Sequence, residues 1–444
     1  MNALNNNNDI ITALATPNGK SAVAIIRVSG KGCTELLNAF LEKPLKVGML
    51  CVNKFKSGSF TENLMAVAYK APKSYTGEDI VELFPHGNPV ICDIIIKTLL
   101  NSGARLAERG EFTKRAFLNG KLDLMQCEAL ADIIDAQTAE QLDYGNKRYF
   151  GGFKSLEQVQ QLLKNALSSI EAVLHYSDEM EQNEVDGAEV SAVLAAVDSA
   201  AAMLEKEIAG FAGGKIINDG FKVALIGAPN AGKSTLLNAL VGSDRAIVTP
   251  IAGTTRDTID GDYVYYGRKF TVTDTAGLNT NTDDQVEKIG IERALAAAKD
   301  ADAVVLVTDD RQIAVDESAF SRFVTVKNKC DDQKDVGKNY NQAYDGQSIR
   351  ISAKQNINIT ALKQKLYDMC PKDFGSVCNH RQYDCVKRCL DSLNAVKTEA
   401  KKAEGLEIVA ALLYEAYSAI AELYGEQADE SIISTVFERF CVGK

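Results

Sequence analysis

Apolar positions change their spacing along the chain, and the changes mark out four segments. Two apolar runs, 9–14 and 22–29, flank the turn Thr16-Pro17-Asn18-Gly19 and predict two strands. Further strands are expected at 45–52, 64–69 and 80–84, with a polar loop at 73–79 and a helix at 90–100. Residues 1–118 therefore read as an α+β domain. From Leu118-Asn119-Gly120 onward the apolar residues fall at helical spacing, in 128–138, 156–174 and 190–208, which predicts antiparallel helices over 119–215. Gly210-Phe211-Ala212-Gly213-Gly214 reads as a hinge into the next segment. Across 216–374 short apolar runs at 222–226, 270–273, 303–307, 323–326 and 349–351 alternate with helical stretches, the pattern of a doubly wound α/β domain. Helical spacing returns over 375–444, at 385–402, 408–423 and 432–441. The simplest architecture pairs these last helices with those of 119–215, so that the α/β domain is an insertion within a helical one.

Composition narrows the class. The chain has 444 residues, 46% of them hydrophobic, enough for several cores. No apolar run is long enough to span a membrane, and no basic flank precedes an apolar stretch at the N-terminus, so a cytoplasmic protein is expected. Ten cysteines without a C-x-x-C pair read as reduced thiols. Cys385 and Cys389 lie one helical turn apart with His380 nearby; core packing is preferred over a metal site. A net charge of −11 argues against indiscriminate nucleic-acid binding.

The chemistry concentrates in the α/β segment. Gly227-Ala228-Pro229-Asn230-Ala231-Gly232-Lys233-Ser234 follows an apolar strand and opens a helix, which is the setting of a phosphate-binding loop. Asn230, Ala231, Gly232, Lys233, Ser234 and Thr235 would line the phosphates. Backbone amides and the helix N-terminus favour anions there, Lys233 would reach the β- and γ-phosphates, and Ser234 would bind Mg²⁺. Asp274-Thr275-Ala276-Gly277 ends a strand: Asp274 would hold Mg²⁺ through water, and the Gly277 amide would face the γ-phosphate. The loop Thr249 to Asp257 contains Thr255, expected to close on Mg²⁺ when a γ-phosphate is present. Asn328-Lys329-Cys330-Asp331 follows another strand. A carboxylate at Asp331 suits the N1–H and N2–H₂ of guanine and is left unpaired by adenine. Lys329 would lie along the base, and in Ser352-Ala353-Lys354 the Ala353 amide would meet guanine O6. Five elements in this order imply GTP or GDP binding.

The hydrolytic apparatus is less regular. Leu278 stands where switch GTPases of the Ras type carry a water-orienting Gln. Glu287 is a candidate to replace it, but on its own surroundings a solvated acid in a helix's first turn is the preferred reading. Arg256 is the nearest candidate for an arginine finger, and a monovalent cation is the alternative.

These residues resemble one family, the MnmE (TrmE) tRNA modification GTPases. The resemblance runs from Ala15-Thr16-Pro17 and Ile25–Gly30 through Tyr75–Asp79, Gly110–Thr113 and Lys121–Leu124, the nucleotide motifs and Ile289–Ala294, to the closing Cys441-Val442-Gly443-Lys444. It implies an N-terminal tetrahydrofolate-binding domain that also forms a homodimer, an all-α domain, and an inserted P-loop GTPase domain. Arg27, Glu82, Lys121 and Lys444 match the folate contacts, the donor being 5-formyl- or methylene-tetrahydrofolate. Asn230 matches a K⁺ ligand, with Thr249, Ile251 and Thr254 completing that site, and Glu287 matches a water-positioning glutamate. The catalytic set is then Glu287, Lys233 and Thr255. The family works with an FAD-dependent partner, MnmG, in a heterotetramer. It adds an aminomethyl or carboxymethylaminomethyl group to C5 of the wobble uridine of tRNA. Cys441 has two readings: a participant in that modification, or a docked tail. A prenylation box fits Gly443 and Lys444 poorly. An alternative function is an Era-like GTP switch on ribosomal RNA. That reading expects a basic C-terminal domain, whereas Glu404, Glu407, Glu415, Glu422, Glu426, Asp429 and Glu430 lie there. A chaperone-like ATPase is disfavoured by Asp331.

Overall fold

The computed structural model describes residues 9–151, 153–177, 187–242, 259–274, 298–309, 316–331, 343–345, 348–400 and 406–444. Internal contacts divide the chain into two units, Met1–Ala131 with Ser418–Lys444, and Asp132–Tyr417.

The first unit is built on a six-stranded sheet. Its elements are β1 (Ile11–Leu14), β2 (Ile26–Ser29), α1 (Cys33–Asn38), β3 (Cys51–Ser57), β4 (Phe60–Tyr69), β5 (Ile80–Phe84), α2 (Pro89–Asn101), β6 (Arg105–Leu106), α3 (Glu111–Leu118) and α4 (Leu124–Asp135), with strand order β3-β4-β5-β2-β1-β6. In β4 Glu62, Leu64 and Ala66 are buried while Thr61, Asn63 and Met65 are exposed, the two-residue period of a strand with one covered face. Ile26, Val28, Phe55, Leu64, Val81 and Leu83 meet Cys92, Ile95 and Leu99 of α2 in its core. Asn88 caps α2 by accepting from the Val90 amide, with Pro89 in the first turn. The strand expected at 45–52 begins only at Cys51, because the chain turns at Gly48 (φ +73°).

The second unit contains α5 (Ala139–Gly151), α6 (Lys154–Ser177), α7 (Gly187–Asp219), β7 (Phe221–Gly227), α8 (Lys233–Gly242), β8 (Ile259–Tyr265), β9 (Arg268–Asp274), β10 (Ala303–Thr308), β11 (Phe323–Lys327), β12 (Tyr344–Asp345), β13 (Ser348–Arg350), α9 (Ile359–Asp368), α10 (His380–Glu399) and α11 (Leu406–Tyr424) as far as Tyr417. Its sheet runs β12-β13-β11-β10-β7-β9-β8. The pairs β13–β11, β11–β10, β10–β7 and β7–β9 are parallel; β8 and β12 add antiparallel edges. Val223, Leu225, Val305, Val307 and Val326 are buried, as parallel strands covered on both faces require.

Gly210-Phe211-Ala212-Gly213-Gly214, read from the sequence as a hinge, lies inside α7. The glycines serve packing. A Cβ on Gly210 would lie 2.3 Å from the Gly375 amide nitrogen, on Gly213 2.0 Å from the Asp373 carbonyl oxygen, and on Gly214 2.6 Å from that of Val377. The Gly375 amide donates to the Gly210 carbonyl at 3.0 Å. Where the chain leaves the α/β region it thus lies directly against the helix that leads in.

α10 packs on α7 and buries Cys385 and Cys389. No disulfide joins any of the ten cysteines, and no cluster of metal-ligating side chains occurs among the described residues. The final helix, α12 (Glu430–Glu438), packs on α4, which falls at the start of the segment 119–215 read as helical from the sequence. Ile433, Val436 and Phe437, with Phe440 just after it, pack on Leu124, Cys127 and Ala131 in the first unit.

Candidate functional site

Gly227 ends β7 and the chain turns through Gly227 (φ +153°), Asn230 (φ +65°) and Gly232 (φ +96°) before entering α8. A Cβ on Gly227 would lie 2.2 Å from the Val307 carbonyl oxygen, and one on Gly232 2.3 Å from Asn328 Nδ2, so neighbouring strands close tightly on the loop. Lys233 folds back over it: Nζ donates to the carbonyls of Gly227 (3.1 Å) and Ala228 (3.2 Å) and keeps capacity for a further acceptor. Burial pushes this ammonium below its ordinary pKa, and the charge of Asp274 opposes that shift. An anionic ligand would oppose the same shift. Ser234 Oγ donates to Asp274 Oδ2 at 2.5 Å, which brings a hydroxyl and a carboxylate together as the hard-oxygen donor set that suits Mg²⁺. Thr235 is exposed beside it.

The carboxyl ends of β7, β10 and β11 lie side by side. Asn328 joins them: its amide nitrogen takes the Thr308 carbonyl at 2.8 Å, Nδ2 donates to the Ala231 carbonyl at 2.9 Å, and Oδ1 accepts from the Ala353 amide at 3.1 Å. The Ala353 amide, expected at guanine O6, is therefore engaged with Asn328. Lys329 adopts φ +61° and donates from Nζ to the Asn230 carbonyl (2.8 Å), while pairing with Asp309 (3.1 Å). Ser352 is buried and its Oγ accepts from the Gln355 amide. Asp331 is half-buried at the end of this loop. Asp309 was missed in the sequence. Its signal was its place two residues beyond the apolar run 303–307, at the carboxyl end of a parallel strand. Thr249, Ile251, Thr254, Thr255, Arg256, Gly277, Leu278 and Glu287 lie outside the described residues.

In the first unit Arg27 sits opposite Glu82 in the β2–β5 register and pairs with it at 2.9 Å. The guanidinium lies 5.3 Å from the Tyr75 ring centroid and 5.5 Å from that of Phe112, and it donates to the Gly443 carbonyl at 3.4 Å. The Phe112 amide bonds the Lys444 carbonyl, so the tail 441–444 is tied to this unit at both ends. A cavity of about 690 Å³ is lined by Thr16, Pro17, Asp93, Cys441 and Lys444, among others. That is the size of a small-molecule site. Arg27, Glu82 and Lys121 are not part of its lining; Lys121 Nζ is exposed and donates to the Pro72 carbonyl at 3.2 Å. Cys441 is the exposed cysteine of the chain.

Strand, glycine loop, buried lysine and the Asn328 bridge are those of a P-loop GTPase domain. Two family models match the chain, the GTP-binding protein TrmE N-terminus at residues 10–121 and the MnmE helical domain at 124–441. The chain therefore belongs to the family of tRNA modification GTPases known as MnmE. It is similar to the tRNA modification GTPase MnmE of Thermotoga petrophila, at 35% identity over 98% of this chain and 100% of that one. The protein of the same name from Fervidobacterium nodosum is 36% identical over 99% and 98%. Among solved structures, Aquifex aeolicus Era aligns over 38% of this chain and 66% of that one, at 22% identity and a TM-score of 0.27.

Proposed function

We propose that this protein hydrolyses GTP within a complex that modifies C5 of the wobble uridine of tRNA. The observation that carries the reading is the family match along almost the whole chain, which sets the P-loop site in one polypeptide with the N-terminal and helical domains. In this reading the segments are 1–118, 119–215, 216–374 and 375–444, with the GTPase domain inserted between α7 and α10.

Lys233 and the loop amides bind the phosphates, and Ser234 and Asp274 hold Mg²⁺, which when bound neutralises phosphate charge. Asn328 fixes the loops, and Asp331 recognises the guanine edge. Asn230, with Thr249, Ile251 and Thr254, holds K⁺ where other GTPases use an arginine. Thr255 closes on Mg²⁺ and Glu287 orients the attacking water. GTPase domains of two copies pair across the nucleotide.

Lys444 at the cavity, with Arg27, Glu82 and Lys121, binds a tetrahydrofolate carrying the one-carbon unit, and Cys441 beside it is the candidate participant in the modification. The cavity volume supports a ligand of that size, and Lys444 in its lining supplies one cationic group for an anionic end. The remaining parts of the reading are a homodimer, a heterotetramer with FAD-dependent MnmG, tRNA as substrate, and a cytoplasmic location. No helix among the described residues is long and apolar enough to cross a membrane.

The test is GTP hydrolysis in KCl against NaCl at equal ionic strength, for the native protein and Glu287→Ala. Strong stimulation by K⁺ is expected, and its loss in Glu287→Ala while GDP still binds. Equal rates in the two salts would remove the K⁺ role of Asn230.

A further inference from the structure

We infer that Asp309 is a positioning residue of the nucleotide site, acting through Lys329 on the phosphate loop; the inference rests on the guanine-nucleotide reading of that site. Asp309 directly follows β10, the strand between β7, which leads into the phosphate loop, and β11, which leads into the guanine loop. Its side chain is 13% exposed and accepts from Lys329 Nζ at 3.1 Å; the same ammonium donates to the Asn230 carbonyl at 2.8 Å. The carboxylate thus pins a flexible four-carbon side chain in the orientation that ties one loop to the other.

Both ends of the tie need help. Lys329 (φ +61°) and Asn230 (φ +65°) hold left-handed backbone conformations that non-glycine residues adopt at a cost. The bond from Nζ fixes the peptide at Asn230, whose side chain is the proposed K⁺ ligand and whose neighbours line the phosphates. Charge-assisted bonds of this kind are the strong ones. Without the carboxylate, Lys329 is free to turn to solvent, and the loop pays for its own ordering when nucleotide binds.

The experiment is titration of a fluorescent GDP analogue into the full-length protein, comparing native, Asp309→Asn, Asp309→Glu, Asp309→Ser, Lys329→Ala and the double variant Asp309→Asn with Lys329→Ala. Asp309→Asn is expected to weaken binding about tenfold, the scale of one charge-assisted bond. Asp309→Glu should recover part of this, and Asp309→Ser should match Asp309→Asn. The double variant should bind no more weakly than Lys329→Ala, since the carboxylate acts through that lysine. In turnover the loss should appear in KM for GTP more than in kcat. Unchanged or tighter binding by Asp309→Asn, or losses that multiply in the double variant, would overturn the role of Asp309 and leave the site reading intact. Failure of the native protein to bind the GDP analogue would overturn both.

Discussion

Arg115 has no exposed side-chain surface, and three carboxylates surround it: Asp9 at 2.8 Å, Glu78 at 3.1 Å and Glu111 at 3.0 Å. Glu111 also pairs with Arg105 and accepts from the Glu108 amide. Burial pushes the Glu111 carboxyl up, but Arg105, that amide and Arg115 together hold it below its ordinary value of 4.5. A carboxyl depressed by folding adds stability that is fully present above its unfolded pKa and is lost as pH falls through the folded one. Unfolding in urea should therefore show an acid limb that begins near pH 4.5 and that Glu111→Gln flattens. At pH 7 the same variant should cost roughly 1–3 kcal/mol, because it takes the charge out of the bonds to Arg105 and Arg115, which keep Asp9 and Glu78 as partners. The sequence carries Gly110-Glu111-Phe112-Thr113 as a family marker, yet no spacing rule links Glu111 to Asp9 or Glu78. The phosphate loop is the opposite case. Its glycines, Lys233 and Ser234 are contiguous, so motif and geometry coincide, and at Gly232 the close approach of Asn328 supplies the reason for the glycine.

α7 is the element where pattern and structure part. A cluster of three glycines within five residues is a reasonable hinge signal, because glycine weakens a helix by about 1 kcal/mol relative to alanine. Here the backbone of 373–377 sits where their side chains would be, and tertiary packing overrides propensity. Gly213→Ala should accordingly destabilise the protein by about 1–3 kcal/mol through overpacking, seen as a lower Tm. Gly151→Ala, at a helical glycine whose added Cβ meets nothing within 4 Å, should be neutral or stabilising by up to about 1 kcal/mol. A reversed order would return the cluster to a hinge. β8 escaped the sequence reading for a related reason. Its edge position tolerates Asp260, Gly261 and Asp262, so no apolar run announces it. The buried parallel strands β7, β10 and β11 were legible because both of their faces must be apolar.

Across the second unit, Arg268 links the α/β region to α5. It pairs with Glu140 at 2.7 Å, lies 5.5 Å from the Tyr367 ring centroid and 5.4 Å from that of Phe374, and donates to the Pro371 carbonyl at 3.4 Å. Arg268 opens β9, and Asp274, the partner of Ser234, closes it. Glu140→Ala should lower urea stability by about 1–3 kcal/mol, and adding Arg268→Met should recover part of the loss, since the cost lies in the abandoned charge. Contacts of this reach, like the Arg27–Glu82 pair, join residues far apart in sequence; the family resemblance, not spacing, pointed to Arg27 and Glu82. The discontinuous first unit has a consequence for biosynthesis. Leu124, Cys127 and Ala131 leave the ribosome early, while Ile433, Val436 and Phe437, which cover them, emerge only after the whole second unit. At about 5–20 residues per second that interval lasts on the order of tens of seconds. Throughout it the nascent chain carries an uncovered apolar surface that a chaperone, or the folding second unit, must keep from aggregating.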